Sequence, residues 1–181
     1  REPGNGLKED LESGSAAAAS GGITSFLDMP NNNPAAVTLE AIQQKIASAS
    51  KKCITNFGFF IGATPNNTEE LQRAVGSPGK GISHPGICGI KIFMGSSTGD
   101  LLVHEIEHLE NIFSNTAGLI AVHAEDENRL NERFENVKDR TDIAAHAEWR
   151  DEITALNATE LAVNMAKKTN HRLHVLHLTS G

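Results

Sequence analysis

Two cysteines in 181 residues, no excess of positive charge and no long apolar run remove several functional classes at the outset. Cys53 and Cys88 lie far apart, each inside an apolar stretch, a spacing that makes neither a zinc knuckle nor a redox pair. Both are expected as reduced, buried packing residues, which suits a reducing compartment. Sixteen Lys and Arg stand against 23 Asp and Glu, a formal net charge of −7, and the basic residues are dispersed. Without a basic stripe there is nothing to neutralise a phosphate backbone or an anionic bilayer, so neither nucleic acid nor membrane is an expected partner. No apolar run approaches the roughly 20 residues that span a bilayer, and residues 1–4 do not resemble a secretory signal. A cytoplasmic location is expected. Low-complexity tracts and linkers are also missing, so residues 1–181 are expected to form one domain, with 39% hydrophobic content sufficient for one core.

What is present is a regular alternation. Short runs rich in Val, Ile and Phe at 22–29, 54–61, 87–94, 119–123 and 173–178 are interleaved with segments of helical spacing at about 8–20, 38–50, 68–75, 104–114 and 155–168. Strands alternating with helices imply a parallel sheet in an α/β fold. Asn67, followed by Thr68, Glu69 and Glu70, offers a side-chain cap and early negative charge for one helix. Gly21 and Gly22 end another, and residues 77–85 form a Gly/Pro/Ser loop. Five such strands fit either a doubly wound sheet or a sector of a (β/α)8 TIM-type barrel. The GSSTG run at 95–99 follows a strand but has neither GxGxxG spacing nor a P-loop lysine, so it does not predict a nucleotide site. A closed barrel needs about 250 residues. The barrel alternative is therefore a partial one, with strands missing at both ends.

In a βα barrel, chemistry collects at the C-terminal ends of the strands. The polar residues there are those of 28–31, then Lys91, His123 and His177. A lysine within GICGIKIFM demands compensation, because an ammonium in a buried strand costs several kcal/mol unless paired or chemically altered. His123 closes LIAVH and His177 closes LHVLH, and neutral imidazoles at similar depth on neighbouring strands can share a metal ion. Taken singly, a strand histidine is more often a satisfied core residue and a strand lysine more often snorkels to an edge. His174 and His177 are three apart, so strict alternation puts them on opposite faces. That parity assigns His177 to the interior and His174 to the strand–helix layer. His104 and His108 have i,i+4 spacing but no third ligand nearby and are read as a surface pair.

Several of these segments resemble dihydroorotases of the amidohydrolase superfamily. REPG followed by KEDLESGSAAAASGGITSFLDMPNNNP is similar to that family's first-strand exit, first helix and second strand. GIKIFMGSSTGDLLV, VHAEDE and RLHVLHLTS resemble its fourth, fifth and sixth strand ends, in the same order. The resemblance implies a partial (β/α)8 barrel covering roughly strands 2 to 6. It implies reversible, metal-dependent hydrolysis of the cyclic amide of dihydroorotate to N-carbamoyl-aspartate in pyrimidine biosynthesis.

It further implies that Lys91 is carboxylated and bridges two metal ions, commonly zinc, with His123 and His177 as ligands to one of them. By the same resemblance Arg1 and Asn31 hold the carboxylate of the small-molecule substrate, and the intact protein is a homodimer. The family's general-base aspartate and its His-x-His metal pair are expected beyond residue 181 and before Arg1 respectively, which would leave these residues alone inactive. No role is carried over to His146 or Arg150, whose segment TDIAAHAEWR departs from the family's pattern; both are read as surface or packing residues. Allantoinases and dihydropyrimidinases share the barrel and metal logic, but DMPNNNP favours dihydroorotase over the DMPL turn of allantoinases. A non-catalytic dihydroorotase-like subunit is the remaining alternative, weakened by the retention of Lys91, His123 and His177.

Overall fold

The computed structural model describes residues 2–96 and 99–178. Its elements run α1 (Leu11–Ser20), β1 (Ser25–Asp28), α2 (Leu39–Lys52), β2 (Asn56–Gly62), α3 (Thr68–Val75), β3 (Gly76–Ser77), β4 (Lys80–Gly81), β5 (Ile87–Phe93), a 3-10 turn (Gly99–Leu101), α4 (Ile106–Asn115), β6 (Leu119–His123), α5 (Glu127–Phe134), α6 (Ala144–Trp149), α7 (Glu152–Thr169) and β7 (Arg172–Val175). β3 and β4 form a small antiparallel hairpin within the stretch expected as plain loop.

The other five strands make one parallel sheet in the order β1-β2-β5-β6-β7. Every strand lies beside its predecessor and the order never reverses. A doubly wound sheet requires a reversal at its switch point, whereas a (β/α)8 barrel advances in one direction. The topology is that of a barrel sector, and it decides the question that strand count leaves open.

Local chemistry explains where the helices begin and end. Asp10 caps α1 by accepting from the Ser13 amide at 2.8 Å, and Ser13 Oγ accepts from the Asp10 amide in return, a reciprocal capping box. Thr38 caps α2 through the Ala41 amide at 3.1 Å, and Asp151 caps α7 through the Thr154 amide at 3.0 Å. α7 closes on Asn170 in the left-handed region, and α1 closes on Gly21.

Asn67 departs from expectation: its side chain makes no cap bond to α3. It accepts from the Thr64 amide at 2.8 Å and donates to the carbonyls of Val37 and Gly62 at 2.8 and 2.9 Å. Satisfying three backbone groups outside the helix competes with one cap bond, and those bonds win.

The core lies between the sheet and the helices. Phe59, Ile61, Ile90, Ile92, Ile120 and Val122 point to that side and meet Ile42 and Ala49 of α2, Leu71 of α3, Leu109 and Ile112 of α4 and Ala162 of α7. A bulge between Phe59 and Phe60 lets Cys88 fall outside the β2–β5 ladder. The next residue, Gly89, has φ +155, and a Cβ there would strike the Leu119 carbonyl, so β5 and β6 meet this closely only because it is glycine. Both thiols are free and half-buried rather than fully buried, and burial pushes Cys88 up to about 11, which keeps it inert.

Candidate active site

Strand register places the chemistry. In-register residues of a parallel sheet share a face, and Gly62, Lys91, Ala121 and His174 form one such row, on the side away from the helices. Lys91 is 2% exposed. Its Nζ donates to the Ile92 carbonyl at 2.7 Å and sits 3.7 Å from the centre of the Phe93 ring. An ammonium has three donors and wants an anion when buried; among the described residues no carboxylate lies within ion-pair distance of Lys91. Burial accordingly pushes its amine down to about 7.

His123 closes β6 two register positions beyond the Lys91–Ala121 pair, opposite Phe93. Its Nδ1 lies 3.0 Å from Nε2 of His177, with the two rings edge to face. His177 reaches this position after the strand has ended. β7 stops at Val175, Leu176 donates to the Val122 carbonyl at 3.1 Å, and His177 turns with φ +36.

Alternation therefore stops applying two residues before His177, and the expectation for His174 is overturned. In register with Ala121, His174 lies on the same face as Lys91, and it is Leu173 and Val175 that pack against the helix-side core.

Glu125, two residues beyond the strand, was not anticipated. Its carboxylate is 2.6 Å from His123 Nε2 and is gripped by Arg150 Nη1 at 2.9 and 3.1 Å. Arg150 also contacts Ser96 Oγ and lies 4.6 Å over the Trp149 ring. Burial raises the Glu125 carboxyl, but His123 and Arg150 outweigh it, and the group ends below the ordinary carboxylate range. His177 is held below the ordinary imidazole range, first by burial and then by His123. Arg150 is thus no surface residue. With His123, Glu125, His146 and His177 it lines a cleft of about 300 Å³. Only the acid next to a strand-end histidine could have signalled Glu125, and Arg150 gave no local signal.

The remaining expected residues sit elsewhere. Asn31 is exposed and lines a second cleft of about 830 Å³ with Thr64, Asn66 and Asp100; the structure does not bring it into contact with the histidine pair. Arg1 lies outside the described residues. His104 precedes α4, so it and His108 do not share a helix face, and His104 instead contacts Glu105 at 3.2 Å. Among the described residues, no cluster of three or more His, Cys, Asp or Glu is arranged to hold a metal ion. No described helix is long and apolar enough to cross a membrane.

A one-directional parallel sheet with a buried lysine and a histidine pair at its C-terminal edge defines a sector of a (β/α)8 barrel with its polar residues at the strand ends. No protein-family model matches the chain. It is 33% identical to a dihydroorotase of Methanosarcina acetivorans over 99% of its own length and 37% of the relative's. It is 32% identical to an allantoinase of Deinococcus radiodurans over 99% of this chain and 40% of that one. In three dimensions it superposes on the L-hydantoinase (dihydropyrimidinase) of Arthrobacter aurescens with a TM-score of 0.81 at 26% identity, covering 93% of this chain and 37% of that one. The chain belongs to the cyclic amidohydrolase family. It spans under two-fifths of the length of the Methanosarcina dihydroorotases it matches.

Proposed function

We propose that the full-length protein is a dihydroorotase, hydrolysing and re-forming the cyclic amide of dihydroorotate in the cytoplasm. The observation that carries this reading is Lys91: a buried amine with no anion beside it among the described residues, on the same sheet face and next to the same strand ends as His123 and His177. Its lowered basicity favours the neutral amine that bonds to carbon dioxide, and loss of one proton then leaves a carbamate anion in place of the cation. That carbamate on Lys91, together with His123 and His177, would supply part of the ligand set for divalent ions such as zinc. The 3.0 Å between the two ring nitrogens is a few tenths of an ångström short of the ~3.4 Å that separates two tetrahedral ligands each about 2.1 Å from one shared ion. When bound, such ions supply a Lewis acid for the amide carbonyl and a water of near-neutral pKa.

The chain's own residues do the rest. Glu125 fixes the orientation of the His123 ring, and Arg150 fixes Glu125, an outer shell of the kind that tunes ligand basicity. Asn31 and Arg1 hold the substrate carboxylate, the arginine by paired donors and the asparagine by a neutral one. The protein acts as a homodimer on this small molecule. Comparable identity to the Deinococcus allantoinase supports a second reading, in which the ring is allantoin. Turnover assays of the full-length protein on dihydroorotate, allantoin and dihydrouracil decide between them. Turnover of dihydroorotate well above the others is expected, and turnover of either rival with none of dihydroorotate sinks the first reading.

A further inference from the structure

A second buried lysine is unrelated to the histidine pair. Lys45 shares the apolar face of α2 with Ile42 and Ala49 and is 3% exposed. Its Nζ pairs with Asp28 at 2.8 Å, donates to the Met29 carbonyl at 2.9 Å and to Asn32 Oδ1 at 2.6 Å, and lies 4.7 Å from the Phe59 ring centre. All three oxygen acceptors belong to the end of β1 and the turn that follows. Asn32 carries the connection onward, its Nδ2 donating to the Glu2 carbonyl at 3.1 Å.

A second strap runs beside it, from the Asn33 amide to the Pro3 carbonyl at 3.2 Å. Gly4, at φ +98, packs so tightly here that a Cβ would come within 2.6 Å of Asn33 Cβ. Glu2 itself is anchored to α2 through Lys52 at 2.5 Å and Ser48 at 3.2 Å. Two segments nearly thirty positions apart are therefore bolted to each other and to one helix. Arg1 directly precedes one of them, and Asn31 begins the other.

We propose that Lys45, acting through Asn32, is a positioning residue that holds the 2–4 segment against the 31–33 turn and so sets the register of the substrate-carboxylate site. The inference rests on the dihydroorotase reading for what that site binds. A carboxylate gripped by donors from two separate segments is recognised only if their separation is fixed. A cation suits the hub because it satisfies one carboxylate and two neutral oxygens at once.

The test uses the full-length protein with Asn32→Asp, which keeps an acceptor for Lys45 but removes the donor to Glu2, and with Lys45→Met, which removes the hub. Amide hydrogen exchange at Asn33 is expected to rise at least about tenfold in both, with β5 and β6 amides unchanged. KM for dihydroorotate is expected to rise at least about tenfold with kcat within about threefold, while KM for dihydrouracil, the same ring without the carboxylate, stays within about threefold. Unchanged exchange at Asn33 in Asn32→Asp overturns the proposal. So does a KM rise shared equally by both rings. Should Lys45→Met fail to fold, Asn32→Asp carries the test alone. A wild-type protein inactive on dihydroorotate would sink the functional reading, and the exchange result would still decide whether the hub orders the two segments.

Discussion

Lys45 and Lys91 are buried to the same degree, 3% and 2% exposed, yet the molecule treats them oppositely. Lys45 spends its three donors on Asp28, Met29 and Asn32. Lys91 has one backbone carbonyl and an aromatic face. Burial lowers the basicity of both, but for Lys45 the Asp28 contact opposes it, whereas for Lys91 nothing does and the amine falls to about 7. The difference separates a lysine used as structure from one left chemically available. A buried cation that is fully paired resists change, while one without an anion invites either deprotonation or conversion to something else.

The two lysines should differ most in activity. Lys91→Ala in the full-length protein should cut turnover by more than about a hundredfold, beyond what loss of an outer-shell partner costs, and should remove bound metal. Turnover kinetics with metal analysis check this, and retention of two metals would refute the bridging role. Next comes stability, where the two lysines should differ in sign. Lys45→Met leaves Asp28 and two half-buried oxygens without their cation and, because Asp28 is partly solvated, should cost ~2 kcal/mol in urea unfolding.

Lys91→Met should instead stabilise the metal-free protein by ~2 kcal/mol at pH 6. The sign follows from proton binding. With a folded value of about 7 against 10.5 unfolded, the unfolded chain binds more protons between those limits, so wild-type stability rises with pH across that window. The penalty is complete below pH 7, and the advantage of Lys91→Met should fade as pH rises toward 10.5. Unfolding curves from pH 6 to 10 measure it; a flat difference would mean that Lys91 carries no buried charge. The smallest effect belongs to the outer shell. Glu125→Gln should weaken metal affinity or activity about tenfold, measured by metal titration.

Much of the scaffold was legible because periodicity reports burial. α3 and β6 match their expected limits, and the other strands and helices differ by a few residues at their ends. α5 and α6 escaped notice because they are short and bury little: α5 is strongly polar, and Leu130 is the buried residue of one and Ala145 of the other, too few to produce a pattern. The site was legible where a residue's oddity was local, as with a lysine inside an apolar strand.

It was not legible where position depended on distant chain. His177 escapes β7 by a turn that alternation cannot foresee, so the pairing with His123 came with a wrong place for His174. Arg150 meets Glu125 from across 25 residues of sequence. Lys45 was visible in principle, as a lysine in line with Ile42 and Ala49 on a helix face, but its partners in the 28–32 turn appear only in three dimensions.

On this reading Lys91 is the reactive lysine and Lys45 the structural one. Carbon-13 NMR of the full-length protein supplied with carbon-13 bicarbonate and zinc tests it directly. A protein-bound carbamate signal is expected that persists in Asn32→Asp, where Lys45 loses its link to Glu2, and disappears in Lys91→Ala together with the metal. A carbamate signal that survives Lys91→Ala, or its absence from active wild-type protein, would contradict it.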